Sequence, residues 1–297
     1  MREIRRVLCP IDFSEFSMRS YRYALSIASH YRATLFVQHV IELWRYPYAD
    51  FAASVASLDE FYRKLREGGE EQLQKFLKTC AHEEVQPEHV VQQGMAPDCI
   101  LQLAEARQVD LIVMGTHGRR GFDRLMIGSV TERVMRRASC PVLAVNKPSH
   151  DFIDSNQRPG AVHLNRILFC TDFSENSQRA LDHAISLTAE YGAELTLLHV
   201  LEDTPASARI EQEMAAVTAQ LEKLIPPEAR KTGKFKIKPA VRIGKAYQQI
   251  IQLALEAQTD LIAMAVRGRG ALDLAVFGST THRVMQFGSC PVLVVHV

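Results

Sequence analysis

The sequence predicts an α/β protein: two tandem, five-stranded, parallel-sheet sandwiches of Rossmann-like type, with strand order 3-2-1-4-5. Three observations predict it. The first is that the chain is written twice. Residues 110–145 align without gaps on residues 260–295, and 19 of the 36 positions are identical, where ordinary residue frequencies give about two by chance. RVLCPIDFSEFS from Arg6 matches RILFCTDFSENS from Arg166, and YRATLFVQHV from Tyr31 matches YGAELTLLHV from Tyr191, both at an offset of 160 instead of 150. The second copy is therefore shorter by ten residues between its second and third strands. The second observation is that short apolar runs alternate with stripes of helical period, which implies a parallel sheet covered by helices on both faces. The third is size: 297 residues, 47% hydrophobic, make two domains of about 150 residues, each able to bury a core.

The elements follow in order. Val7–Ile11 is a short apolar strand. A helix follows with Tyr21, Ala24, Leu25 and Ala28 on one stripe, matched by Leu181, Ala184, Ile185 and Thr188 in the second half. Thr34–Val40 and Glu194–Val200 are the second strands. A long polar helical segment occupies Leu58–Cys80. Val90–Gln93 leads through Gly94 and Pro97 to a helix carrying Ile100, Leu103 and Ala104. Leu111–Met114 is a buried strand, Ser129–Arg137 a helix, and Val142–Val145 the last strand. Right-handed crossovers leave few doubly wound orders. In the order 3-2-1-4-5 the chain reverses between strands one and four, where open α/β sheets bind ligands.

The predicted domains are 1–146 and 165–297. Residues 147–164 form the linker, a stretch rich in proline, glycine and small polar residues. Val142–Val145 and Val292–Val295 are apolar edge strands that should not stay exposed. They are expected to pair within the chain as a pseudo-two-fold, leaving room for a further homodimer. The 35 basic and 34 acidic residues nearly cancel, so no global field points to nucleic acid or a membrane surface. No apolar run reaches the length of a membrane span. The N-terminal stretch lacks the apolar core and cleavage site of a secretory leader. Six cysteines without CxxC pairs read as reduced, buried thiols of a cytoplasmic protein, not zinc ligands.

Two loops converge at the reversal. Pro10-Ile11-Asp12-Phe13-Ser14 follows strand one. Gly115-Thr116-His117-Gly118 follows strand four and leads, nine residues later, to Gly128-Ser129. This reads as a phosphate cradle. Gly115 and Gly118 admit an anion to backbone N–H groups, and Ser129 and Thr131 add hydroxyls at a helix N-terminus. Each part also has a structural reading: turn glycines, a Ser129/Glu132 capping box, and an Asx turn at Asp12.

The spacing G-x2-G-x9-G-[ST] after a strand, the earlier P-x-D-x-S and the run GSVTERVMRRASCPVLAV together resemble the universal stress protein family, across both halves. The resemblance implies a five-stranded α/β domain that binds ATP. It implies Pro10, Ile11 and Asp12 on the adenosine side, and the Val40 backbone at the adenine edge. Met114 and Gly115 would lie at the ribose, and Gly118, Gly128, Ser129, Val130 and Thr131 at the phosphates. Mg2+ would be held mainly by the phosphates. In the second half Asp172, Val200, Gly268, Gly278 and Ser279 are kept.

The halves differ, however. Ala265 replaces Gly115, Cys170 replaces Pro10, Val266-Arg267 replaces Thr116-His117, and His282 replaces Glu132. The stronger nucleotide site is therefore expected in the first half. The alternative is two sites, with Arg267 and Arg269 as compensating phosphate ligands. The basic stretch around Arg119, Arg120, Arg124, Arg133, Arg136 and Arg137 reads mostly as a solvated helix face, without the aromatic platform of a nucleic-acid site. His39 and His199 read as satisfied rim histidines. Trp44, Tyr46, Tyr48 and Phe51 read as a packed insertion or as a lid. No Walker A, dinucleotide or hydrolase motif occurs. The function expected is a regulatory adenine-nucleotide-binding stress protein with an unknown protein partner. The alternatives are a nucleotide-free scaffold acting as a covalent pseudo-dimer and a slow ATPase.

Overall fold

The computed structural model describes residues 4–42, 55–79, 85–117, 127–146, 151–153, 161–202, 209–227, 229, 236–266 and 278–296. In the first half the order is β1 Arg6–Ile11, α1 Glu15–Tyr31, β2 Thr34–Ile41, α2 Val55–Lys78, β3 Glu88–Gln93, α3 Ala96–Ala106, β4 Leu111–Gly115, α4 Ser129–Arg137 and β5 Val142–Val145. The second half runs β6 Arg166–Cys170, α5 Glu175–Tyr191, β7 Glu194–Leu201, α6 Ile210–Lys223, β8 Lys236–Ile243, α7 Ala246–Glu256, β9 Leu261–Ala265, α8 Ser279–Phe287 and β10 Val292–Val295. All ten strands form one sheet, ordered β3-β2-β1-β4-β5-β10-β9-β6-β7-β8. Each half thus has the expected order 3-2-1-4-5.

The two last strands do pair with each other. They run antiparallel, with Val142 opposite Val294, Leu143 opposite Leu293 and Ala144 opposite Val292. Every other strand pair is parallel. Joining the two apolar edges removes two unpaired strand edges at once, and it makes both core layers continuous across the seam. One layer lies under α1, α2, α5 and α6, with Tyr21, Leu25, Leu73, Leu181 and Leu221 buried. The other lies under α3, α4, α7 and α8, with Ile100, Met135, Ile250 and Met285 buried.

Paired carboxylates fix the register in each half. The Asp110 Oδ2 accepts from the N–H groups of Arg5 and Arg6, both at 2.9 Å. The Asp260 Oδ2 accepts from Asn165 and Arg166, both at 2.8 Å. Part of the stretch read as a linker is structured. Asp151 accepts from the Tyr23 hydroxyl at 2.7 Å, Phe152 packs edge-on against Tyr23, and Ile153 bridges to Val162. The five described cysteines are free and buried. Burial raises the thiols of Cys9, Cys140 and Cys290 to about 12 and that of Cys170 further, so all four are protonated and unreactive near neutrality. Among the described residues no helix is long and apolar enough to cross a membrane.

Candidate functional site

β1 ends at Ile11, level with His39, while β2 continues to Ile41. On its other side β1 pairs with β4. Because the chain leaves β1 in opposite directions, a crevice opens at the carboxyl ends of β1 and β4. Two helix N-termini belong to it, and they differ. α1 is capped by Ser14, whose side chain accepts from the Ser17 N–H at 3.2 Å. α4 is capped by Gly128, and no side chain caps it. The Ser129/Glu132 capping box is therefore not formed. Ser129 is already inside the helix, and Glu132 pairs with Arg136 one turn on at 2.5 Å. The first-turn N–H groups of α4 have no acceptor within the helix. The second half repeats the contrast: Ser174 caps α5, and Gly278 starts α8 with no side-chain cap.

The loop after β4 closes at its base. Thr116 N–H donates to Val145 O at 3.0 Å, and Gly128 N–H donates to Thr116 O at 2.8 Å. Thr131 does not offer its hydroxyl to the crevice; it donates to Gly115 O at 2.8 Å and ties α4 to β4. Thr281 does the same toward Ala265 O at 3.3 Å. Gly115 allows the close approach of α1. A Cβ there would stand 2.9 Å from Phe16 Cβ and 3.1 Å from the Phe16 carbonyl carbon and oxygen. Gly115 is not among the positive-φ residues. Ala265 is not among the positive-φ residues either, so the exchange imposes no backbone strain on the second half.

Asp12 forms the Asx turn: its Oδ1 accepts from Ser14 N–H at 3.0 Å, and Asp172 accepts from Ser174 N–H at the same distance. The residues after them, Phe13 and Phe173, are left-handed at φ 64° and 61°, a cost that only surrounding packing sustains. Their rings lie 4.4 and 4.6 Å from those of His39 and His199. Those histidines are satisfied, with Nδ1 donating to Ile11 O at 3.0 Å and to Thr171 O at 2.7 Å. Sequence reasoning missed the two phenylalanines, although the Asp-Phe pair recurs in both halves.

Met114 and Ile11 are core side chains, which leaves their backbone groups as their means of meeting a ligand. Pro10 lies in the β1 ladder opposite Gln38, and Val40 lies opposite Gln92 one residue beyond the end of β1. Val130 packs partly on the core, and Ser129 is exposed. Gly278, Ser279 and Val200 repeat these places in the second half. Gly118, Gly268, Arg119, Arg120, Arg124, Arg267, Arg269 and the aromatic set Trp44, Tyr46, Tyr48 and Phe51 lie outside the described residues. Arg136 and Arg137 pair with Glu132 and Asp98 on the outer helix face.

His117 sits at the mouth. Its ring lies tilted against Phe16 with the centroids 4.9 Å apart, and Nδ1 is 2.8 Å from the Thr116 hydroxyl. Its Nε2 is enclosed without a hydrogen-bond partner among the described residues, and burial pushes its pKa below the usual imidazole value. A separate cavity of about 540 Å³ is lined by Tyr62, Arg63, Arg66 and Gln92 at the sheet edge. Its arginines are already paired with Glu67 and Glu70.

Comparison with known proteins decides the family. The family profile described as "Universal stress protein family" matches residues 3–146 and again 163–296. The chain belongs to the universal stress protein family. A universal stress protein of Methanocaldococcus jannaschii, MJ0531, is 33% identical over 147 residues, covering 50% of this chain and 85% of that protein. One from Mycolicibacterium smegmatis is 25% identical over 301 residues, covering 97% and 96%. The crystal structure of a universal stress protein from Archaeoglobus fulgidus aligns with a TM-score of 0.68 at 22% identity, covering 99% and 97%. That likeness extends the tandem fold to the whole chain.

Proposed function

We propose that this universal stress protein binds an adenine nucleotide, ATP with Mg2+, in the crevice of its first half, and acts by occupancy instead of by metabolic turnover. The observation that carries the reading is the glycine-started N-terminus of α4 at the sheet's reversal point, beside a serine-capped α1. Open N–H groups and the helix dipole there suit a phosphate. Asp12, Pro10 and the backbones of Ile11 and Val40 flank the adenosine side, and Met114 and Gly115 the ribose. Gly118, Ser129, Val130 and Thr131 offer N–H groups to the phosphates. In this reading the Mg2+ ion is held mainly by the phosphates.

The preference for the first half rests on Thr116 and His117, which the second half replaces with Val266 and Arg267. Asp172, Val200, Gly268, Gly278 and Ser279 form the weaker counterpart. The continuous sheet across β5 and β10 favours one second reading, a scaffold in which the pair of halves is itself the functional surface.

The test is Mg-ATP titration by calorimetry on the wild type and on Gly128→Asp. Aspartate at this position caps the helix and stabilises it, while its charge and its occupation of the N–H groups repel phosphate. The proposal expects one site per chain, lost in Gly128→Asp and kept in Gly278→Asp. Two equal sites would reject the asymmetry. No binding by the wild type would leave the scaffold reading.

A further inference from the structure

The residues that directly follow β5 and β10 occupy equivalent places in the two repeats, and both are polar: Asn146 and His296. Both side chains bond across the seam. Asn146 Nδ2 donates to the carbonyl of Gly288, the residue that ends α8, at 2.7 Å across 142 positions of sequence. His296 Nε2 donates to the carbonyl of Met135 in the last turn of α4, across 161 positions. Asn146 is only 6% exposed. The last carbonyls of a helix lack donors of their own, and here the opposite half supplies one to each helix.

The two helices served in this way are the ones whose glycine-started N-termini face the crevices. Each has nine residues, a rod of about 13 Å, so whatever holds its C-terminus also sets its N-terminus. We propose that His296 and Asn146 are crossed positioning residues: the second half aligns α4 at the first crevice, and the first half aligns α8 at the second. The seam then links the two crevices, and a ligand that shifts one helix acts on the other half's C-terminal segment. Linkage makes this influence reciprocal.

The exchange arm of the test needs no ligand and does not depend on the nucleotide reading. Backbone amide hydrogen exchange is measured on the full chain at the first hydrogen-bonded amides of α4 (Glu132–Val134) and α8 (His282–Val284), because the N–H groups ahead of them are open already. His296→Leu should speed exchange at α4 by about three- to tenfold, the equivalent of one net hydrogen bond, and leave α8 unchanged. Asn146→Leu should do the reverse. His296→Gln and Asn146→His keep a donor and should restore wild-type exchange. They also show that the leucine effects are not failures to fold. The ligand arm rests on the nucleotide proposal: His296→Leu should weaken Mg-ATP binding by a similar factor, and Asn146→Leu should leave first-half binding intact. Equal loosening of both helices, loosening confined to the mutated half, or no change in either would overturn the crossed arrangement. Failure of ATP to bind the wild type, with the crossed exchange pattern present, would reject the nucleotide reading alone.

Discussion

Replacing Gly115 with alanine separates packing from backbone strain as the reason for that glycine. The added Cβ would meet Phe16 Cβ at 2.9 Å and Phe16 backbone atoms at 3.1 Å. Carbon atoms rest at about 3.5 Å or more, so α1 must retreat from β4 by about 0.5 Å. The obstacle is helix backbone, not the end of a flexible side chain, so relief requires the helix to move. Overpacking of this kind costs about 1–3 kcal/mol. The φ at Gly115 is not positive, so alanine also restricts the unfolded chain and returns about 0.4–1 kcal/mol. The net expectation is a loss of about 1–2 kcal/mol in urea-unfolding free energy, read at the first-half transition if the halves unfold separately. Ala265→Gly is the control: it relieves no clash and should cost only about 0.5–1 kcal/mol. A Gly115→Ala protein with wild-type stability would refute the packing argument, because α1 would then be free to move.

Four further outcomes are expected. Ser14→Ala removes the α1 cap, which accepts from Ser17 N–H at 3.2 Å; it should cost about 1 kcal/mol by chemical denaturation, as should Ser174→Ala. Asp260→Ala strips the shared acceptor from Asn165 and Arg166 and should cost about 2–3 kcal/mol, with the start of β6 losing amide protection. Thiol ionisation sets an alkaline limit. The unfolded thiols ionise above pH 9.0 while folded Cys9, Cys140 and Cys290 hold their protons to about 12. The folded state therefore binds more protons in that window, and stability should fall as pH rises from 9.0 toward 12. Unfolding curves measured across the window should flatten when Cys9 is replaced by alanine. Leu293→Asp places a charge opposite Leu143 in the seam, and solution scattering should then show two separated bodies in place of one.

Much of the site was legible because its signals are local. The repeat placed equivalent loops in both halves, and the alternation of elements placed those loops at the reversal of strand order. The edge pairing of Val142–Val145 with Val292–Val295 followed from apolar strands that water would not tolerate. Where the reading went astray, a local pattern competed with a tertiary contact. Ser-x-x-Glu at Ser129 spells a capping box, but Gly128 ends the loop by donating to Thr116 O and so takes the cap position itself. At Gly115 the local motif gives no sign that Phe16, 99 positions earlier in the chain, packs so close. Thr131 lies in the motif, but its hydroxyl bonds to the strand beneath.

The sequence by itself determined the duplication, the α/β class, the strand order and the burial of the five described thiols. Each of these depends on periodicity, on residue type or on short-range turn chemistry, which a linear chain carries openly. Only the tertiary structure decided which helix N-terminus is open, why a side chain at Gly115 would crowd α1, and that Asn146 and His296 reach across the seam. These depend on distances between segments from 12 to 161 positions apart, and no local pattern encodes how closely two packed elements approach.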